Sequence, residues 1–177
     1  MKRIWLVTGI ACLVLVPVLA LAAGFASQGL VLVDLNGKKV PLDTLMARGP
    51  VVLNFWATWC GPCRLEMPQF QKIYQVLQPK GVQFGAISLD RKLSKDVLEQ
   101  FLKKGGITVP VYRDEDGTLA RKFSILAIPT TVVLKRDGEV FYVTKGYRPG
   151  DEVLLRKKIE EVVAGGQKQT PSQPAQK

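Results

Sequence analysis

Histidine is missing altogether from this 177-residue chain. Its absence excludes imidazole metal sites, histidine ligation of haem, and any Cys–His or Ser–His catalytic pair. Cysteine is nearly missing as well: there are three, and Cys12 lies within an apolar leader. The remaining pair, Cys60 and Cys63, cannot build a disulfide framework and falls short of the roughly four ligands a zinc site needs. No metal and no other cofactor is expected. Basic residues outnumber acidic ones for a formal charge of +10, yet no basic block is interleaved with aromatics. Such a block would track a nucleic-acid strand, so nucleic acid is not an expected partner. The cations read as a solvated surface, or as one facing anionic lipid or an acidic partner. There is no internal repeat.

One long hydrophobic run is present. Lys2 and Arg3 precede an apolar stretch from Ile4 to Ala26, broken only by Thr8, Gly9, Pro17 and Gly24. It has no polar face, so an ordinary buried helix fits it poorly. Its roughly 20 residues suffice to span a bilayer. The charges at its start place the N-terminus in the cytoplasm and the remainder outside. Three fates stay open: an uncleaved membrane anchor, which the length favours; a signal peptide cut near Ala20-Leu21-Ala22; or a lipid-modified Cys12, for which Gly9-Ile10-Ala11 is a poor approach sequence. Each puts the rest of the chain in the periplasm or on the outer face of the cytoplasmic membrane. Residues 1–26 therefore read as anchor or signal, 27–166 as one folded domain, and 167–177 as a disordered polar tail.

The chemistry is concentrated in Phe55-Trp56-Ala57-Thr58-Trp59-Cys60-Gly61-Pro62-Cys63-Arg64. Two thiols stand three residues apart, after a strand-like stretch from Val51 to Trp56 and before a helical one. At a helix N-terminus the macrodipole and unpaired N–H groups stabilise a thiolate, which is the reactive species. The spacing suits sulfurs that alternate between dithiol and disulfide.

Strand and helix patterns alternate around that motif. Val31–Asp34 and Lys39–Pro41 flank Asn36-Gly37, which predicts a hairpin with a type I′ turn. Asp43 is placed to N-cap a short helix through Ala47. Apolar residues Leu65, Met67, Phe70, Ile73, Tyr74 and Leu77 recur at helical spacing from Cys63 to Gln78, with Pro68 bending the helix one turn in. Val82–Leu89 predicts a strand, Ser94–Lys104 a helix with Val97, Leu98, Phe101 and Leu102 inward, and Pro110–Tyr112 a brief strand. A short helix follows through Leu119, Ala120 and Phe123. Thr130–Lys135 and Val140–Lys145 form a hairpin about Asp137-Gly138. A last helix runs from Asp151 to Ala164 with Val153, Leu154, Ile159, Val162 and Val163 inward. The order predicts an α/β domain with a mixed central sheet, and the cysteines fall at the C-terminal end of a parallel strand, where open sheets carry their sites.

The run from Phe55 to Cys63 resembles the thioredoxin signature. With Arg64-Leu65-Glu66-Met67-Pro68 and Ile128-Pro129-Thr130-Thr131, it is similar to the membrane-anchored TlpA/ResA branch of that superfamily, over Leu30 to Ala164. The resemblance implies a thioredoxin fold with an N-terminal β-hairpin extension and an extra strand–helix insertion around Val82 to Val111. It implies that Cys60 is the exposed attacking thiol and Cys63 the resolving one, and that Trp59, Gly61 and Pro62 shape the surface around the sulfur. Pro129, after a cis peptide, faces the pair, and Ile128 offers backbone groups to an extended substrate. Gly61-Pro62 is the dipeptide of reducing thioredoxins. The implied partners are protein disulfides outside the cytoplasm, apocytochrome c or oxidase assembly factors among them, and a membrane electron donor of the CcdA/DsbD type. A monomer is expected.

Three positions depart from the pattern. Asn54 stands where plain thioredoxins carry a buried aspartate that moves the resolving thiol's proton. Glu66 and Asp90 are the candidate proton relays in its place, although a one-residue slip would put Arg91 where Asp90 is expected. Thr130 replaces the glutamate of the Pro-Glu-Thr found in reductases dedicated to cytochrome c maturation, which weakens that narrow assignment. Two rival functions remain: a peroxidase on the same fold, and a non-catalytic copper-delivery module. The second usually adds a histidine to its cysteine pair.

Overall fold

The computed structural model describes residues 29–167. The leader over 1–26 and the tail from 168 lie outside the described residues. Among those described, no helix is long and apolar enough to cross a membrane.

Strand β3 (Val51–Trp56) explains the architecture, because all six of its residues are buried. A strand covered on both faces must sit inside a sheet with helices on either side. It pairs in parallel with β4 (Gln83–Ser88) and antiparallel with β6 (Thr130–Leu134). Beyond β4 lies parallel β5 (Val111–Arg113), then β1 (Val31–Asp34) and β2 (Lys39–Pro41); beyond β6 lies β7 (Val140–Lys145). The seven-stranded order is β2-β1-β5-β4-β3-β6-β7.

Strand periodicity divides the core. Val52 and Trp56 point to the face covered by α2 (Gly61–Leu77), α3 (Lys95–Lys104) and α5 (Asp151–Gln167), meeting Met67, Phe70, Leu98 and Ile159. Val51, Leu53 and Phe55 point to the opposite face, under α1 (Leu42–Met46) and α4 (Thr118–Lys122), among Leu42, Leu45 and Leu119. Trp56 stacks on Phe101 at 5.6 Å between ring centroids, which joins α3 to the strand that carries the site. Gly49 lets the chain enter β3: a Cβ there would lie 2.1 Å from the Gly81 carbonyl oxygen.

The alternating α/β order and the mixed sheet match expectation, and several local details differ. The β1–β2 turn is not type I′, which needs positive φ at both central residues. Among the described non-glycine residues only Lys92 and Ser124 have positive φ, so Asn36 does not; Gly37 does, at 79°. The turn closes through Gly37 N–H to Asp34 O and Asp34 N–H to Lys38 O, while the Asp34 carboxylate accepts from Asn36 and Lys38. Asp43 caps nothing: it lies inside α1, whose N-cap is Pro41, and accepts from Gly29 N–H. α2 begins at Gly61 rather than Cys63 and contains Pro68 without being divided there. Leu65, Val97, Val153 and Leu154 are exposed, because the buried stripes of their helices fall on Phe70, Leu98, Leu102, Leu155, Ile159 and Val162. α5 also continues through Gly165-Gly166 to Gln167, past the expected helix end at Ala164.

Candidate active site

The backbone leaves β3 at Trp56, turns through Ala57–Trp59 and enters α2 with Cys60 as its N-cap. Cys60 N–H closes that turn on Ala57 O at 3.2 Å. Cys60 and Cys63 form a disulfide. Cys60 Sγ accepts the Cys63 backbone N–H at 3.2 Å, so an orphan amide of the helix N-terminus is satisfied by that sulfur. A sulfur so placed is stabilised as thiolate once the pair is reduced, by that donor and by the helix dipole. Pro62, in the first turn of α2, suits a position where no intrahelical donor is needed.

The expected exposure of Cys60 is corrected. It is 5% exposed and Cys63 1%, so both residues are largely covered, Cys60 slightly less so. Part of the cover is Ile128, whose carbonyl oxygen lies 3.8 Å from Cys60 Sγ. The Ile128–Pro129 peptide is cis. Thr130 fixes this segment by donating from Oγ1 to Ala127 O at 2.7 Å. The site thus brings Cys60, Cys63, Ile128 and Pro129 together, with Trp59 projecting beside them, 67% exposed.

The two candidate relay acids occupy different surroundings. Glu66 is buried one helical turn beyond Cys63, on the same side of α2. Asn54 Nδ2 donates to its Oε2 at 2.7 Å and also to Thr131 Oγ1 at 2.9 Å. Burial raises the Glu66 pKa to about 7, against the opposing effect of the Asn54 and Thr131 hydrogen bonds; the charge of Asp151 adds to the rise. Glu66 also lines a small cavity with Thr144, Tyr147 and Asp151. Asp90, by contrast, is tied to the loop before Cys60, where its carboxylate accepts from Thr58 and Ser88. Asp90 is the buried residue at this corner and Arg91 the exposed one. Among the described residues no cluster of three or more Cys, Asp or Glu could hold a metal.

Sequence reasoning passed over Thr58, Ser88 and Leu126. Thr58 lies within the cysteine motif, and its position two residues ahead of Cys60 was a usable signal. Leu126, 88% exposed just ahead of Ile128, carries no signal in a sequence, since its exposure arises from the fold.

A mixed sheet with a Cys-Gly-Pro-Cys disulfide at a helix N-terminus, opposite a cis-proline, defines a thioredoxin-fold thiol-disulfide oxidoreductase. Relatives agree. The chain belongs to the AhpC/TSA family, whose sequence profile matches residues 22–143. It is 33% identical over 127 residues to the thiol-disulfide oxidoreductase ResA of Bacillus subtilis, covering 72% of this chain and 69% of that one. The ResA of Bacillus thuringiensis subsp. konkukian is 32% identical over 130 residues, 73% of each chain. Among solved structures, a thioredoxin-family thiol:disulfide interchange protein from Chlorobium tepidum superposes with a TM-score of 0.63 at 26% identity, covering 76% of this chain and 92% of that one. StoA from Bacillus subtilis gives 0.61 at 25% identity, covering 73% and 94%.

Proposed function

We propose that this oxidoreductase works outside the cytoplasm as a reductant of disulfides in exported proteins. One observation carries the reading: Cys60 Sγ receives the Cys63 amide at the α2 N-terminus while the Ile128 carbonyl faces it from the proline loop. The Cys60 thiolate attacks one sulfur of a client disulfide, forming a mixed disulfide and releasing the other client sulfur as thiolate. Cys63, losing its proton, then attacks Cys60 Sγ and frees the second client thiolate. Two electrons have passed to the client, and the pair is left as the disulfide seen here. Glu66 stands one turn from Cys63 with a pKa near the working range, about 7, which suits a group that accepts the resolving thiol's proton.

The leader supports the compartment, and Gly61-Pro62 supports the reducing direction. A reductant in an oxidising compartment must be recharged, and a membrane carrier of the CcdA/DsbD type is the donor the resemblance implies. Apocytochrome c and oxidase assembly proteins are candidate clients. Ile128 and Pro129 would hold the client strand extended across Cys60.

The roles of the two sulfurs separate in a trapping experiment. Cys63→Ser should accumulate mixed disulfides with exported proteins through Cys60, and Cys60→Ser should accumulate none. Equal trapping by both variants would refute the assignment. Consumption of hydrogen peroxide far faster than insulin disulfide would instead move the function to a peroxidase.

A further inference from the structure

We infer that Asp90 is a positioning residue: it holds the loop Ala57–Trp59 through Thr58, and so sets where Trp59 and Cys60 stand against an incoming disulfide. The inference rests on the exchange reaction proposed above and adds to it a group that touches neither sulfur.

Both carboxylate oxygens are committed. Oδ1 accepts from Thr58 Oγ1 at 2.7 Å and from Thr58 N–H at 3.2 Å. Oδ2 accepts from the same N–H at 3.0 Å and from Ser88 Oγ at 2.9 Å. Ser88 Oγ in turn accepts Asp90 N–H at 3.2 Å, which fixes the carboxyl group on its own strand end. The residue is 4% exposed, and a buried carboxylate is tolerated only when hydrogen-bonded in this way. The neighbouring backbone strengthens the clasp, since Leu89 N–H donates to Trp56 O at 2.8 Å and ties the end of β4 to the end of β3. From the other side Arg64 Nη1 reaches Thr58 O at 3.4 Å. Thr58 is therefore held at its amide, its hydroxyl and its carbonyl, two residues ahead of the nucleophile.

A relay role fits this geometry badly. A proton delivered to Asp90 would displace a Thr58 or Ser88 donor and loosen the loop during the very step that needs Cys60 in place. Positioning fits it well, because a nucleophile misplaced by about 1 Å can lose around 100-fold in rate.

Asp90→Ala, Asp90→Asn and Thr58→Val test this on the full chain. The readouts are insulin disulfide reduction, the pH profile of Cys60 alkylation in the reduced protein, and amide exchange at Thr58 and Cys60. Asp90→Ala should speed Thr58 amide exchange by at least about 10-fold and lower kcat/KM by about 10-fold or more. Asp90→Asn keeps an acceptor oxygen and should restore most of both, with the alkylation midpoint unmoved or lowered by the loss of a nearby negative charge. Thr58→Val loses the hydroxyl bond alone and should fall between the two. If Asp90→Ala does not fold, the Asp90→Asn and Thr58→Val results decide. A loss of kcat/KM in Asp90→Asn as large as in Asp90→Ala, with Thr58 amide exchange at the unmodified rate, would make Asp90 a relay and overturn the inference. So would unchanged exchange and kcat/KM in Thr58→Val and Asp90→Ala. Absence of insulin reduction by the unmodified protein would count against the proposed function; Thr58 amide exchange then decides the positioning role by itself.

Discussion

Asn54 on β3 donates to the Glu66 carboxylate on α2 at 2.7 Å, so a neutral amide on the strand meets a buried acid on the helix. Where plain thioredoxins carry an aspartate on the strand, this chain has a neutral amide there and an acid on the helix. The amide's other atom, Asn54 Oδ1, is buried without a hydrogen-bond partner. Helix and strand are thus joined by a polar bridge inside an otherwise apolar interface. The bridge holds Glu66 on the face of α2 that also carries Cys63.

The Glu66 pKa of about 7, against 4.5 for the unburied group, has a sign for stability. Between those values the folded protein keeps a proton that the unfolded chain releases. Stability therefore falls as pH rises from about 4.5 to about 7, by about 3 kcal/mol from this group. Glu66→Gln removes the ionisation. The loss of thermal stability between pH 5 and pH 8 should shrink in Glu66→Gln relative to the unmodified protein. A gap of the same size in both would show that burial of Glu66 costs nothing.

A second buried polar side chain has a purely structural task. Gln71 Oε1 accepts from Thr108 N–H and Val109 N–H, both at 2.9 Å, and its Nε2 donates to Thr108 Oγ1 at 2.7 Å. It clamps α2 to the segment that leads into β5. Gln71→Ala strands two backbone donors and should lower unfolding free energy in urea by about 2–4 kcal/mol. Disulfide exchange at Cys60 should be unaffected under conditions where the variant is folded. A loss below about 0.5 kcal/mol would mean that water replaces the clamp.

The frame was legible where a pattern has one physical meaning. An apolar run at Val51–Trp56, interrupted only by Asn54, suits a strand buried on both faces, and two cysteines three apart after it suit a helix entrance. Helix faces were less legible. Val97, Val153 and Leu154 satisfy helical spacing as well as Leu98 and Leu155 do, and which of them is buried depends on the packing angle against the sheet. Buried polar partners were the least legible. Asn54, Gln71 and Asp90 are separated from their partners by up to 77 residues, as for Asn54 and Thr131, so spacing carries no trace of the contact. The β1–β2 hairpin formed with another turn type for a local reason: Asn-Gly permits a two-residue hairpin, but Asp34 offers its carboxylate to Asn36 and Lys38 and selects a longer loop.

Client recognition should reside in side chains that the fold leaves uncovered around Cys60. Trp59 and Leu126 are the exposed apolar groups on its two flanks, one before the helix and one before the proline loop. Neither contributes to the core, so Trp59→Ala and Leu126→Ala should leave the melting temperature within about 2 °C. A client that buries either side chain would gain up to about 1.5–3 kcal/mol from it. Each variant should therefore raise KM for a protein disulfide by several-fold, up to about 100-fold, while the rate with a small aromatic disulfide stays near the unmodified value. The split between large and small substrates is the decisive measurement. Equal losses on both would mean that these residues shape the sulfur's reactivity, and that client binding is carried by the backbone of Ile128 alone.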